Sequence, residues 1–428
     1  MTWNFHNYYS SSSDGLVAKL ILSDTKNSEL KALRKVVRTR IKDVFEEAKA
    51  VVKNSELLSI FEVRQKLAQY RFKYLSAECQ QEIAQLISNM DENQRRAFQK
   101  ISPRFWTQGS FAYDTLNLPY QRPQEMDIDD GTYLPMEIFD EQPAIGHTLL
   151  FLLVDAALES LVAEHQGWAF EQKDTCGRIR IPSMNVHIDV PMYAVPEDKF
   201  WKNEVALEAH KFSANQYQDH LLSESKSERD YELDPNSVQL AIRDGEEAWR
   251  KSDPKKVKKW FDEACILVPH LRKICRILKG WRDVQWAEKG PSSISLMAAI
   301  VDILDTHPTK SSDLHHALKV VIAQLPGRFL AGVESPDESD KHLLFPRQQD
   351  HGPREQLVIA KLRELQQVLS EAEYANSKAE ALRTINKAFG QRVTNAELIV
   401  LKQAAPAFSH EPRKDPVPVK ISPTMKSG

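Results

Sequence analysis

Leu30, Leu33, Val37, Ile41, Val44 and Val51 recur at steps of three, four or seven residues, the spacing that lines apolar side chains along one stripe of a helix. The pattern predicts one long amphipathic helix over 28–53. Helical periodicity continues to about residue 98, with breaks near Asn54 and Leu75, and Pro103 then punctuates the chain. Beyond it the period changes to two. DIDDGTYLPM alternates as a strand does. A helix is predicted over 146–164, followed by strand-like GWAFEQ, GRIRIP and NVHIDVPMYAV. From about residue 200 strand signals vanish. The segments 237–250, 255–288, 293–306, 313–325, 355–370 and 375–390 all read as helices. The chain therefore divides into a mixed α/β half and a helical half, an α+β arrangement. We place the first lobe at 1–215 and the second at 216–404. Residues 332–353 read as a long loop rich in Pro and Asp, of the length that is functional or disordered. Residues 405–428 hold few groups to bury, which predicts a mobile tail.

Composition narrows the function classes. A chain of 428 residues is long enough for two domains. Its net charge of -3 provides no global basic field, so long nucleic acid is not an expected partner. Cys79, Cys176, Cys265 and Cys275 form no CxxC pair and read as buried thiols of a reducing compartment. The start, MTWNFHNYY, lacks the basic and apolar regions of a signal peptide. A cytoplasmic location is the expectation. The longest apolar run, HTLLFLLVDAALESLVA, includes Asp155 and Glu159, which predicts a buried helix and no membrane span.

The candidate chemistry lies in two short stretches, FWTQGSFAYDT (105–115) and QEMDIDDG (124–131). Strand alternation places Asp127 and Asp129 on one face, with Ile128 on the opposite, core side. Asp130 then falls on the core side, so the strand is expected to end or bulge there. Later, in VHIDVP, Val186, Ile188 and Val190 form an apolar set, and His187 and Asp189 occupy the other face. If the two strands are neighbours, three carboxylates converge. Such a cluster repels itself unless something positive sits within it. Two Mg²⁺ ions suit it, being hard cations that prefer carboxylate oxygen, and Mn²⁺ is an alternative. Two metals can clamp the attacking and leaving oxygens of an in-line phosphoryl displacement. Gly109 lets a phosphate approach the backbone, and Ser110 is expected to cap the helix FAYDTLN and donate to a phosphate oxygen. A lone GS or DxD is weak evidence, and the calcium-loop spacing that DIDDG suggests is not completed. The ordered set of GS, DxD and a third acid on an apolar strand is more specific.

GSFAYDT, EMDIDDG and HIDVPMY resemble the nucleotidyltransferase core shared by DNA polymerase β, CCA-adding enzymes and oligoadenylate synthases. RFWTQGSFAYDTLN, QEMDIDDGTY, TCGRIRI, GPSSISLMAA, GVESPD and FGQRVTNAELIVL carry a closer resemblance, to the cGAS/DncV-like family. That resemblance implies a polymerase-β-like core, a C-terminal helical lobe and an active site in the cleft between them. It implies synthesis of 3′,3′-cyclic GMP-AMP from ATP and GTP, an antiphage signalling role and a cyclic-dinucleotide-activated effector downstream. Asp127, Asp129 and Asp189 are then the metal-holding, catalytic acids. Gln108, Gly109, Ser110 and Tyr113 form the nucleotide cradle, and Arg178 meets phosphate oxygens. Lys279, Ser293 and Asp340 match nucleotide-contacting positions. His187 shares the acid face in a supporting role. On 271–281, Arg272, Arg276 and Lys279 fall on one face; spacing alone reads this as a solvated surface. Rival readings are a linear oligonucleotide-forming or tRNA-end nucleotidyltransferase, and a nucleotide sensor without activity.

Two further expectations rest on the resemblance. Arg34, Arg38 and Lys42 lie four residues apart on the long helix, where stacked cations repel unless an anion intervenes. With Arg40, Arg104 and the ring of Trp106, they are expected to form an inhibitory site for a folate-like polyglutamate. Gly428, at the end of the tail, is expected to be a conjugation point used by a ubiquitin-activating-like partner enzyme.

Overall fold

The fold is given by a computed structural model. It describes residues 2–136, 138–139, 142–143, 146–196, 238–243, 248–309, 313–337, 341–347 and 351–402. Asp340 and Gly428, and the lobe boundary at 215/216, lie outside the described residues.

The catalytic half is built on a seven-stranded sheet. Its strands are β1 (Arg104–Gln108), β2 (Met126–Met136), β3 (Ala169–Gln172), β4 (Cys176–Ile181), β5 (Val186–Pro196), β6 (Gln239–Ala241) and β7 (Trp249–Lys251). The order β7-β6-β5-β2-β1 leaves β1 at an edge, and β4 pairs with β3 and with the first half of β5. β2 and β5 run parallel at the centre, each eleven residues long. One face of this pair, with Ile128, Leu134, Met136, Ile188, Val190 and Met192, packs against the long helix Asp24–Val52 and the helix His147–Glu164 in a single core. The long helix opens on Ser23, whose hydroxyl accepts from the amide of Lys26.

Asp155 is fully buried in His147–Glu164, and Arg243 neutralises it through bonds of 2.8 and 2.9 Å. No helix among the described residues is long and apolar enough to cross a membrane. All four cysteines are free thiols.

The helical half contains Pro254–Leu267, Leu271–Gln285, Ser293–Thr306, Leu314–Ala331, Pro353–Glu373 and Lys378–Phe389. Its core also takes Trp3, Phe5, Tyr8, Tyr9, Leu16 and Leu20 from the other end of the chain. Trp3–Asn4 pairs with Val400–Leu401 as a two-stranded ladder. The expected lobe 1–215 is thus corrected at its start, because four large rings in seven residues find their burial in the helical core.

Three other expectations change. Where one helix is expected over 237–250, the described residues hold two strands, β6 and β7, because the run VQLAI pairs with β5 on one side and with β7 on the other. The helix expected over 255–288 is two helices, broken at Pro269, with Val268 extended before it as a residue preceding proline prefers. The sheet strand neither ends nor bulges at Asp130. β2 runs on to Met136, and Asp130 points into the core with 1% exposure.

Candidate active site

The parallel register sets the acids side by side. Asp129 lies opposite Asp189, and Asp127 lies opposite His187. On the other edge of β5, Arg178 lies opposite Asp189. A guanidinium and an imidazole answer the crowding. Arg178 donates to both oxygens of Asp189, Nε to Oδ1 at 2.6 Å and Nη2 to Oδ2 at 2.7 Å. His187 Nε2 lies 2.9 Å from Asp127 Oδ1, and its Nδ1 lies 3.1 Å from Glu125 Oε2. Glu125 is held in turn by Arg180, at 2.7 and 3.2 Å. Burial raises the Asp127 carboxyl, but the imidazole beside it wins, and the net direction is down. Asp129 goes well above the ordinary range, through burial first and then the charges of Asp127 and Asp189. His187 moves up because Asp127 outweighs its burial.

Ligand atoms of Asp127, His187 and Asp189 all lie within 4.8 Å of one another. Asp127 Oδ1 and His187 Nε2 are buried without a well-directed hydrogen bond. Such a set of carboxylate oxygens and one imidazole fits a divalent cation. Glu125 is a participant that the sequence reading passed over. Its signal was an acid two positions before Asp127, hence on the same face.

The glycine–serine step faces Asp129. Gly109 has φ +60°, and a Cβ there would come within 1.9 Å of Asp129 Oδ2. Both the backbone angle and the contact require glycine. Ser110 does not cap a helix FAYDTLN, as expected from sequence; the helix is the four residues Gly109–Ala112 and Ser110 lies inside it. Gln108 is 7% exposed, and its side-chain amide donates to Tyr133 at 2.9 Å and accepts from Tyr193 at 3.1 Å. Those two tyrosines stack at 4.7 Å. Gln108 therefore props the glycine–serine step from beneath. Tyr113 packs on Phe261 at 5.7 Å and is 7% exposed, which leaves little ring face for a base.

Gln108, Gly109, Ser110, Tyr113, Asp127 and Asp129 line one wall of a cavity of about 410 Å³ between the lobes, and Ser292 and Ser293 help to form the opposite wall. A second cavity of about 270 Å³ shares Ser110, Asp127 and Ser293 and adds Lys279 and Arg282. The cations on Leu271–Gln285 are not a solvated face. Arg272 Nε donates to Tyr113 O at 3.2 Å, Lys279 Nζ to Thr115 O at 2.8 Å and Arg276 Nη1 to Leu116 O at 2.5 Å. They grip the turn that follows the glycine–serine step. Burial brings the Lys279 ammonium down to about 7, helped by Arg282. Arg282 also donates to Ser293 Oγ at 2.8 Å; its position one turn after Lys279 was its only sequence signal.

The basic residues of the long helix separate. Arg38 forms a bidentate pair with the buried Asp130, at 2.7 and 2.6 Å, and Arg34 donates to Thr107. Arg40 points elsewhere, to Ser160 Oγ at 2.7 Å and Glu164 at 2.5 Å. Six residues turn the helix well away from Arg34, so Arg40 does not share its face. By alternation Arg104 and Trp106 lie on the acid side of β1, and Phe105 and Thr107 on the helix side, with Arg38 5.5 Å from the Phe105 ring. Arg34 and Arg38 therefore flank the edge strand opposite Arg104 and Trp106. The Trp106 ring carries Lys255 Nζ at 3.2 Å.

A central parallel strand pair bearing three acids, a glycine–serine step over them and a helical lobe closing the cavity define a nucleotidyltransferase of the polymerase-β type. Two family profiles match: "Cyclic GMP-AMP synthase DncV-like, nucleotidyltransferase domain" over residues 103–193 and "Cyclic GMP-AMP synthase, C-terminal domain" over residues 269–402. The chain belongs to the DncV-like cyclic GMP-AMP synthase family. It is 53% identical to the cyclic GMP-AMP synthase of Vibrio cholerae serotype O1 and 48% identical to that of an Escherichia coli strain, in both cases over 100% of each chain. Among solved structures, Vibrio cholerae DncV in complex with the linear intermediate 5′-pppA(3′,5′)pG matches with a TM-score of 0.86 at 52% identity. DncV in complex with GTP and a folate-like ligand matches with a TM-score of 0.87 at 53% identity. Each match covers 94% of this chain and 100% of the other.

Proposed function

We propose that the chain makes 3′,3′-cyclic GMP-AMP from ATP and GTP by two successive in-line nucleotidyl transfers in the cavity between its lobes. The observation that carries this is the register of β2 and β5, which places Asp129 beside Asp189, together with the cavity wall that Asp127 and Asp129 share with Gly109 and Ser110. Divalent cations held by Asp127, Asp129 and Asp189, Mg²⁺ by their oxygen preference and two in number by the chemistry, would neutralise phosphate charge and acidify the attacking 3′-hydroxyl.

The chain's own groups do the positioning. Gly109 admits a phosphate to the backbone, and the Ser110 hydroxyl donates to it. Lys279, Arg282 and Ser293 stand across the cavity to meet the rest of the triphosphate, and Ser293 opens a fourteen-residue helix whose free amides favour anions. Arg178 donates to a phosphate oxygen. Catalysis is then positioning plus charge neutralisation. The linear dinucleotide turns over between the two steps, so that its remaining triphosphate meets the acids.

Incubation with all four nucleotides and Mg²⁺, followed by mass analysis and nuclease digestion, tests this. A cyclic product containing one adenosine and one guanosine is expected. Linear oligomers as the sole product would overturn it. Asp127→Ala and Asp129→Ala should abolish product. Asp129→Ala should leave the thermal midpoint unchanged or raised, because it relieves like-charge repulsion, whereas Asp127→Ala takes a partner from His187 and should lower it.

The same reading extends to the sheet edge. Arg38, Arg104 and Trp106 flank β1 as a folate-like inhibitory site, supported by the folate-like ligand in a relative's structure. Calorimetry with reduced folates tests it; no heat and no inhibition would remove it.

A further inference from the structure

We propose that Arg178 is a latch on Asp189, opened by the triphosphate of an incoming nucleotide, so that substrate binding itself completes the metal-holding set. The proposal rests on the nucleotidyltransferase reading of the site and adds an order of assembly to it.

The three acids are not equally available. Asp127 directs Oδ1 at His187, yet its side chain is 45% exposed, and it lines the cavity along with Asp129. Asp189 is 13% exposed and is not among the lining residues. Both of its oxygens accept from one guanidinium, at 2.6 and 2.7 Å. A fork of two parallel N–H groups occupies one in-plane lone pair on each oxygen of a carboxylate, the directions along which a cation chelated by both oxygens would bind. A cation cannot take Asp189 on that side while Arg178 holds it.

Arg178 is the movable partner. Its side chain is 23% exposed, more than that of the carboxylate it covers. The next arginine on the same face of β4, Arg180, is fixed differently, bridging Glu125 and Glu171 away from Asp189. A phosphate offers the guanidinium the same bidentate geometry with more charge. Once Arg178 follows the phosphate, Asp189 turns from an ion-pair partner into a ligand. The linkage is reciprocal: whatever triphosphate binding does for cation affinity, the cation does for the triphosphate.

The test uses the full chain and no turnover. Mn²⁺ binding to the nucleotide-free protein is followed by loss of the free-ion paramagnetic resonance signal. Arg178→Gln should bind Mn²⁺ about tenfold more tightly than the unmodified chain, within the range of such couplings. Arg180→Gln removes an equal charge from the same strand face and should stay within about threefold. Unchanged affinity in Arg178→Gln, or an equal gain in Arg180→Gln, overturns the latch. If Arg178→Gln fails to fold by circular dichroism, Arg178→Lys is measured instead. Lysine keeps the charge but covers one oxygen, and it should still tighten binding about threefold; no gain overturns the proposal. The second readout is the Arg178 Nε–H resonance, assigned by its loss in Arg178→Gln or Arg178→Lys. ATP added in EDTA should shift it, and a stationary resonance overturns release by the triphosphate. Neither readout depends on the product, so a chain that failed to make the cyclic dinucleotide would still report on the latch.

Discussion

Two helices carry cations at similar spacing and put them to opposite uses. On Asp24–Val52, Arg38 meets a buried carboxylate, Asp130, and Arg38 and Lys42 lie over the Phe105 ring at 5.5 and 5.6 Å. The charge is neutralised where it stands. On Leu271–Gln285, Arg272 and Arg276 reach main-chain carbonyls of the turn 113–117 and also touch Asp262 and Asp114, and Lys279 reaches a carbonyl only. Asp262 and Asp114 answer the two arginines, whereas Lys279, held by a carbonyl dipole alone, lines the cavity and is left to take its charge from a bound anion. The acceptors, supplied by segments distant in sequence, decide between a structural strut and an anion-facing wall.

The largest consequence concerns the strut. Asp130→Ala takes the buried carboxylate from the half-buried Arg38 and leaves it on Thr107 and the Phe105 ring; it should cost about 3–5 kcal/mol, read as a fall in thermal midpoint. Combining it with Arg38→Met should recover most of that loss. A cost below about 1 kcal/mol for Asp130→Ala would mean that the long helix is not held by this pair.

On the other helix, Arg276→Met removes bonds to Leu116 O, Asn117 Oδ1 and Asp114 Oδ1. It should cost about 2 kcal/mol and raise the KM for nucleotide at least about tenfold, because the turn it grips follows Ser110. An unchanged KM would show that the glycine–serine step is positioned from its own lobe.

Lys279 separates the helices by proton uptake. Its folded value of about 7 lies below the ordinary 10.5. Between these values the unfolded chain binds a proton that the folded chain lacks, so this group makes stability rise as pH increases from about 7 towards 10. Lys279→Met should lack that rise. A bound phosphate favours the ammonium, so nucleotide binding at pH 8 should take up nearly one proton, measured by calorimetry in two buffers of different ionisation enthalpy. Uptake equal to that of Lys279→Met would overturn it.

The smallest effect is expected at Arg40. Its partner Glu164 is 44% exposed, and Arg40→Ala should cost no more than about 1 kcal/mol by chemical denaturation. A larger loss would place Arg40 among the struts.

Much of the site was legible because it uses short-range rules. Strand alternation put Asp127 with Asp129 and His187 with Asp189, and the glycine at 109 announced a close approach. Alternation also placed Asp130 on the core side, yet a buried acid there looked like the end of a strand, because its partner Arg38 lies 92 residues earlier. Arg178 was assigned to phosphate; that it covers Asp189 depends on which strand stands beside β5. The strands β6 and β7 read as helix because a three-residue strand has too few positions to show a period.

The sequence by itself determined the periods, the three acids, the glycine–serine step and the family. These are properties of neighbouring residues, and family resemblance sums many of them. Only the tertiary structure decided where the charges end up: Arg38 on Asp130, Arg178 on Asp189, and the cations of Leu271–Gln285 on the turn below the cavity. It also decided that the segment from Trp3 to Leu20 joins the lobe formed by the last half of the chain. An ion pair is set by distance and burial in space, and neither is written in the spacing of charges along a chain.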